Sequence, residues 1–237
     1  MQKSSERPPA NWAQHVPLQR ICSVCGCGEG LVLGTLEYAL FDGAAIASKF
    51  DVTSCSYCGF VTYNTPSAQS DYDAFYAASF YSPEYLARDL SEKEKRYFAG
   101  TVEILSQITD NKNIAMFDIG CGIGSLIETL RCHGYTNLYG VDPSISCVKL
   151  LTEQKGIRCE QGTISSIPFL HVDPQLIILS HIIEHLIDIK PSMLHVYSRL
   201  DADGMVYVET PDATRYADFS EGRPLGFFYF QHVIHFD

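Results

Sequence analysis

From Ile114 onward, short apolar runs alternate with longer stretches in which apolar positions recur every three or four residues. The runs IAMFDIG, LYGVD, IRCEQG, LIILS and MVYVET have the length of strands, and Ser125 to Cys132, Ser144 to Lys155 and Pro191 to Leu200 have the period of amphipathic helices. Strands alternating with helices predict βαβ units, and so a Rossmann-like, doubly wound α/β fold whose parallel sheet is covered on both faces. Upstream the pattern changes. Residues 67–110 read as helical, with Leu86, Leu90, Tyr97, Val102, Leu105 and Ile108 as an apolar stripe and Ser82-Pro83 as a start signal, a capping serine followed by proline in the first turn. Between Ile21 and about Pro66, short β-type runs such as Leu31-Val32-Leu33 and Gly59-Phe60-Val61-Thr62-Tyr63 are punctuated by glycine and cysteine, the mark of a small zinc-ribbon-like module. The first 20 residues carry Pro8, Pro9 and Pro17 and no periodicity, so a mobile leader is expected. The expected division is a leader at 1–20, a cysteine-rich module at 21–66, a helical linker or lid at 67–110 and the α/β core at 111–237.

Composition adds constraints on partners and compartment. The 237 residues are 46% hydrophobic, as in a packed globular protein. They carry 17 Lys plus Arg against 28 Asp plus Glu, a formal charge of −11 that repels a nucleic-acid backbone and an anionic membrane surface alike. No window approaches the roughly 18 consecutive apolar residues of a membrane helix. Nine cysteines, an odd number, follow a polar start, MQKSSERPPANWAQH, which argues against a secreted disulfide framework and predicts a reducing, cytoplasmic setting.

The early cysteines form two copies of one element, Cys22-Ser23-Val24-Cys25-Gly26 and Cys55-Ser56-Tyr57-Cys58-Gly59. A tight turn aims two thiolates at one point, glycine lets the chain reverse beneath them, and two such turns complete a tetrahedral Zn²⁺ site. The short surrounding segment cannot build a core of its own, so the metal is expected to be structural. Cys27 is a neighbouring thiol. A redox C-x-x-C pair fits less well, because there are two pairs and neither lies in a βαβ unit.

In the core, Phe117-Asp118-Ile119-Gly120-Cys121-Gly122-Ile123-Gly124-Ser125 follows a strand and opens a helix, placing glycines where a backbone must approach a ligand closely. The spacing is G-x-G-x-G, and Ser125 stands where the dinucleotide fingerprint needs its third glycine. Asp118, two residues before the first glycine, is suited to an ammonium group. Asp142, about 20 residues further on at a strand tip, can take both hydroxyls of a ribose. Together they describe an adenosyl ligand carrying an amino acid.

These residues resemble the class I S-adenosylmethionine-dependent methyltransferases, through FDIGCGIG, GVDPS, LIILSHIIEHL and GMVYVETPD, over about Ile114 to Asp212. The resemblance implies that Asp118 contacts the methionine part, that Gly120, Cys121 and Gly122 carry the ligand, that Asp142 holds the ribose, and that Ser180 and His181 line the pocket. Gly162-Thr163-Ile164 stands where the family often places an Asp near the adenine.

Two segments bear on the reaction itself. His181-Ile182-Ile183-Glu184-His185 matches H-x-x-E-H, the pattern of a zinc metallopeptidase in which two histidines share a helix face and the glutamate acts as base. Such a site needs a third ligand further along, where Glu209 and Glu221 are the glutamates available. The pentapeptide directly follows a strand beside the glycine turn and resembles the segment after strand four of many methyltransferases, so Glu184 and His185 are expected to organise the turn or reach the substrate side. The second segment is Tyr229-Phe230-Gln231-His232-Val233-Ile234-His235-Phe236, rich in groups able to move a proton.

The pairing of a C-x-x-C-G module with this core resembles the sugar C-methyltransferases that act on nucleotide-linked keto-deoxysugars. That resemblance implies proton transfer by Tyr229, His232 and Tyr76, with Gln231 standing where the group has Glu. Methyl transfer to oxygen or nitrogen in glycan or secondary-metabolite synthesis, and a non-catalytic cofactor-binding module, are the other readings. Members of the family normally continue with a further helix and two strands. The chain is therefore expected to be C-terminally incomplete, with an exposed sheet edge able to support a homodimer.

Overall fold

The computed structural model describes residues 14–40, 44–78, 82–169, 171–219 and 228–236. In chain order the strands are β1 (His15–Pro17), β2 (Glu29–Glu37), β3 (Lys49–Cys55), β4 (Val61–Asn64), β5 (Met116–Ile119), β6 (Leu138–Asp142), β7 (Arg158–Gln161), β8 (Leu176–Ser180), β9 (Met205–Glu209) and β10 (Ile234–His235). The helices are α1 (Gln69–Ala77), α2 (Pro83–Leu86), α3 (Glu92–Ile108), α4 (Ser125–Cys132), α5 (Ile145–Lys149), α6 (Ile189–Arg199) and α7 (Tyr216–Phe219). Two compact units result: Asp73–Ile182 with Lys190–Glu209, and Met1–Tyr72 with Ile183–Ile189 and Thr210–Asp237.

The first of these units is the α/β core. Its sheet has the order β7-β6-β5-β8-β9, and every pairing is parallel. The strands are continuous apolar runs because helices cover both faces; Leu176 to Leu179 are wholly inaccessible. Strand order reverses between β5 and β8, which puts a ligand crevice at the carboxyl ends of these strands. One packed cluster joins Val102 and Leu105 of α3, Ile127 and Leu130 of α4, and Met116, Leu176 and Ile178 of the sheet. The expected helix from Ser144 to Lys155 is realised as α5 followed by one π-helical turn, Leu150–Gln154.

The helical stretch before the sheet breaks where the apolar stripe alone predicts continuity. Ser82 does cap, its hydroxyl accepting from the Tyr85 amide at 3.2 Å, but α2 is a single turn. A second start follows at Ser91, whose hydroxyl accepts from the Glu94 amide while the Glu94 carboxylate accepts from the Ser91 amide, a reciprocal capping box. The Glu94 carboxylate also takes both ends of the Arg88 guanidinium, which holds it down at about 2. Ser91→Ala is expected to cost about 1 kcal/mol, read as a lower midpoint in denaturant unfolding.

The second unit is built on an antiparallel sheet of order β1-β2-β3-β4-β10. Phe50, Val52 and Tyr63 bury one face, with the Phe50 and Tyr63 rings stacked at 4.3 Å. Two findings differ from the expected division. His15–Pro17 is not leader: it pairs with Glu29 to Leu31 as an edge strand, where Pro17 is tolerated because an edge strand has a side that needs no amide donor; residues 1–13 lie outside the described residues. The last segment of the chain belongs to this unit and not to the α/β core, because Ile234 and His235 pair with Thr62 and Val61 of β4. Among the described residues no helix is long and apolar enough to cross a membrane.

Candidate functional site

The register of the antiparallel sheet brings the two cysteine turns together. One turn joins β1 to β2 and the other joins β3 to β4, and the pairing of Gly30 with Cys55 sets the start of β2 beside the end of β3. Both turns have the same backbone hydrogen bonds. The Cys22 amide donates to the Cys27 carbonyl (2.8 Å) and the Gly26 amide to the Cys22 carbonyl (2.9 Å); Cys55, Phe60 and Gly59 repeat this at 2.8 and 3.0 Å. Gly26 and Gly59 hold φ of 77° and 80°, the left-handed conformation the reversal needs. The four sulfurs of Cys22, Cys25, Cys55 and Cys58 lie within 4.8 Å of one another, with Cys22–Cys58 at 3.6 Å and Cys25–Cys55 at 3.5 Å. A tetrahedral zinc thiolate site needs edges of about 3.8 Å, so the donor set fits a closed four-sulfur ion. The Cys27 thiol is turned to the Glu29 carbonyl instead, at 3.6 Å.

The glycine turn lies in the α/β core between β5 and α4. Gly120 has φ of 73°, a left-handed conformation that favours glycine, and a Cβ there would meet the end of the Ile182 side chain. The Gly120 and Cys121 amides both donate to the Val141 carbonyl (2.6 and 3.1 Å), and the Gly122 amide donates to Asp142 Oδ2 (2.8 Å). Asp142 Oδ1 accepts from the Ser144 amide at 2.8 Å. Asp142 therefore ties the glycine turn to the end of β6, and each oxygen keeps a further lone pair for a ligand hydroxyl. The Cys121 thiol points into the core, 3.8 Å from the Cys159 sulfur, so any contact this residue makes with a ligand comes from its backbone. Asp118 is 5% exposed; burial, with the Asp142 charge second, pushes its carboxyl up to about 7. Such a carboxyl is a ready partner for a ligand ammonium. Beyond β6 and β7 an open cleft is lined by Pro143, Gln161, Gly162 and Thr163, with Asp73, Ala74 and Ala77 of α1 across it. The Gly162-Thr163-Ile164 segment thus borders a cleft without offering it a carboxylate.

At the end of β8, Ser180 and His181 belong to a network that the sequence does not announce. Ser180 Oγ donates to Glu209 Oε2 (3.1 Å) and meets the Tyr97 hydroxyl (3.2 Å), which also reaches His181 Nε2 (3.0 Å). The Tyr207 hydroxyl donates to the same Glu209 oxygen at 3.3 Å. Burial pushes the pKa of the Tyr97 hydroxyl above the ordinary phenol range, making it a weaker acid. Tyr97 reads in sequence as one member of an apolar stripe, and Glu209 as a distant zinc ligand; both are instead bound to the end of β8.

The H-x-x-E-H pentapeptide does not form the helix a peptidase site requires. His181 has φ of 55° and its amide donates to the Glu209 carbonyl (2.8 Å), and only Ile183–His185 makes a single 3₁₀ turn. His181 and His185 therefore do not share a helix face. Glu221 lies outside the described residues. Of the proton-transfer candidates, Tyr229 and His232 are brought together in the antiparallel unit: their rings are 5.3 Å apart, and the His232 amide donates to the Tyr229 carbonyl at 2.9 Å. Tyr76, on α1, is half-buried against Phe75 and belongs to the α/β core.

A doubly wound parallel sheet with a glycine turn and two acidic strand ends defines a nucleotide-type ligand-binding core of the Rossmann-like class. The sequence model of one family, described as a methyltransferase domain, matches residues 79–236, and the chain belongs to that family. No curated protein matches the sequence. Among solved structures the chain is similar to magnesium protoporphyrin IX methyltransferase from Synechocystis PCC 6803 with bound SAH (17% identity, 54% of this chain and 66% of that one, TM-score 0.44). It is also similar to the PH0226 protein from Pyrococcus horikoshii OT3 (20%, 58% and 66%, 0.46) and to an S-adenosylmethionine-dependent methyltransferase from Clostridium acetobutylicum ATCC 824 (19%, 58% and 57%, 0.44). The chain spans 66% of the length of the first two.

Proposed function

We propose that this protein transfers a methyl group from S-adenosylmethionine to a small-molecule acceptor. The observation that carries the reading is the turn FDIGCGIG between β5 and α4, set between buried Asp118 and Asp142 in a chain of the methyltransferase-domain family. Bound S-adenosylmethionine supplies an electrophilic methyl on a cationic sulfur. The chain's part is to hold the amino acid end with Asp118, the ribose with Asp142 and the backbone of the ligand along Gly120, Cys121 and Gly122, with Ser180 and His181 completing the pocket. Most of the rate in such a transfer comes from positioning. Calorimetry with S-adenosylhomocysteine is expected to give micromolar binding by the wild-type protein and loss of it in Asp142→Ala. A wild-type protein that binds none rejects the reading, and binding without transfer to any acceptor favours a non-catalytic module.

The acceptor we assign is a nucleotide-linked deoxysugar, on the joint support of the two C-x-x-C-G turns and the Tyr229, His232 and Phe236 spacing. Carbon or oxygen acceptors must lose a proton, and Tyr229, His232 and Tyr76 are the groups assigned to move it. His232→Ala is expected to lose turnover and keep cofactor affinity; unchanged turnover removes His232 from the reaction. Methylation of oxygen or nitrogen on a related metabolite is the second reading, supported by Gln231 standing where a carboxylate would assist enolisation. Cys22, Cys25, Cys55 and Cys58 are assigned to a structural Zn²⁺.

A further inference from the structure

Three residues that sequence spacing keeps apart meet inside the antiparallel unit. Glu184 and His185 end the 3₁₀ turn Ile183–His185, and His232 closes the turn opened by Tyr229 ahead of β10. One carboxylate oxygen and one nitrogen from each ring lie within 4.8 Å of one another. The His185 and His232 rings stand edge to face, with centroids 5.0 Å apart.

The surroundings of this trio are those of a metal site. Glu184 is 1% exposed, so its carboxylate is held by protein groups and not by bulk water. Its Oε2 accepts from the Thr210 hydroxyl at 3.2 Å, which fixes the plane of the carboxylate. His185 Nδ1 lies 2.8 Å from the Gln231 carbonyl, an acceptor only, so Nδ1 carries the proton and Nε2 carries the lone pair. A histidine ligand usually donates its other ring N–H in this way, to a carbonyl or a carboxylate that sets its tautomer. Two imidazoles and one carboxylate suit a divalent first-row transition ion, and the same set with a fourth position open serves Zn²⁺ in many proteins.

We propose that Glu184, His185 and His232 form a second metal site, distinct in donor chemistry from the four cysteines, that binds a divalent transition ion such as Zn²⁺. Bonds of about 2.0–2.1 Å require ligand atoms roughly 3.4 Å apart, so small side-chain rotations close the trio on an ion. Three protein ligands leave a position for water or for an oxygen of another molecule. Glu184 is then a ligand and not the base of the peptidase pattern, and the third ligand is a histidine 47 residues after His185 and not either of the later glutamates. With the ion in place, the His232 lone pair is committed to metal. Proton movement in the metal-loaded protein then falls to Tyr229 and Tyr76, and the site is tested by its metal content and not by activity.

The deciding experiment counts and characterises bound metal, and needs no cofactor or acceptor. Full-length protein dialysed against micromolar Zn²⁺ is expected to hold two equivalents per chain by elemental analysis, and His185→Ala and His232→Ala one each. Thr210→Val, which leaves the three ligands in place and removes the hydroxyl behind Glu184, is expected to weaken the second equivalent about 10–100-fold. In a Co²⁺ titration of the wild-type protein, one equivalent brings thiolate-to-metal charge transfer and the other adds d–d absorption with none. One equivalent in the wild type, two retained in both histidine variants, or a Co²⁺ titration that ends with the thiolate bands overturns the proposal. S-adenosylhomocysteine affinity of the same variants is expected to stay within a few-fold of wild type, so failure of the metal site and failure of the methyl-transfer reading are separable.

Discussion

Replacing Cys55 by serine is expected to abolish zinc binding at the proposed four-cysteine site and unfold the antiparallel sheet. Metal binding and folding are coupled at such sites, with apparent binding free energies of about 10–16 kcal/mol in zinc-finger peptides, comparable to the whole stability of an ordinary domain. Phe50, Val52 and Tyr63 are buried, and at the far end of the sheet the two cysteine turns bring four sulfurs within 4.8 Å of one another. Without the ion, the buried Cys22 thiol faces the Cys58 thiol at 3.6 Å, a poor replacement for four metal bonds. Hydrogen exchange with quantified zinc checks this: amides of β2, β3 and β4 are expected to lose protection by several orders of magnitude. Protection retained at zero zinc means that the sheet stands without metal.

Cofactor affinity is expected to fall about tenfold for each pH unit below 7, and this dependence is expected to vanish in Asp118→Asn. Burial holds the Asp118 carboxyl at about 7, so in free protein at pH 6 it is mostly neutral. A ligand ammonium pairs with the ionised form, and binding must then expel a proton, at about 1.4 kcal/mol per pH unit below that value. Above about 7 the carboxylate is already formed and affinity levels off. Stability runs the other way. The folded state holds this proton more tightly than the unfolded chain, whose carboxyl loses it near 3.8, so Asp118 subtracts stability as pH rises from about 4 to 7. Calorimetry between pH 5.5 and 7.5 with S-adenosylhomocysteine measures the first effect. A flat profile in the wild-type protein rejects Asp118 as the ammonium partner.

The α/β core was legible because its signals are local. Continuous apolar runs mark buried parallel strands, and the five expected strands are β5 to β9 with small shifts at their ends. Ser125 to Cys132 is α4 as read. The two cysteine turns were legible for the same reason, since each repeats one five-residue element. What escaped was long-range pairing. Ile234 and His235 form too short a strand to carry a period, and their partner in β4 lies far back in the chain. The break between α2 and α3 was present in sequence as Ser91 and Glu94, but the stripe from Leu86 to Ile108 overrode it. Tyr97 illustrates the general difficulty: an aromatic on a buried helix face reads as packing, and only the approach of Ser180 and His181 gives its hydroxyl a role.

The pairing of β10 with β4 has a consequence for synthesis. The Thr62 hydroxyl and the Val233 carbonyl that join these strands are 171 residues apart, and the chain between them builds the whole parallel sheet. An antiparallel unit closed by so distant a strand has high contact order, and on the ribosome its amino-terminal strands wait, with one edge bare, until Ile234 and His235 have emerged. Early metal capture by the two cysteine turns, both complete by Gly59, would shelter that waiting sheet from aggregation while the parallel sheet assembles behind it.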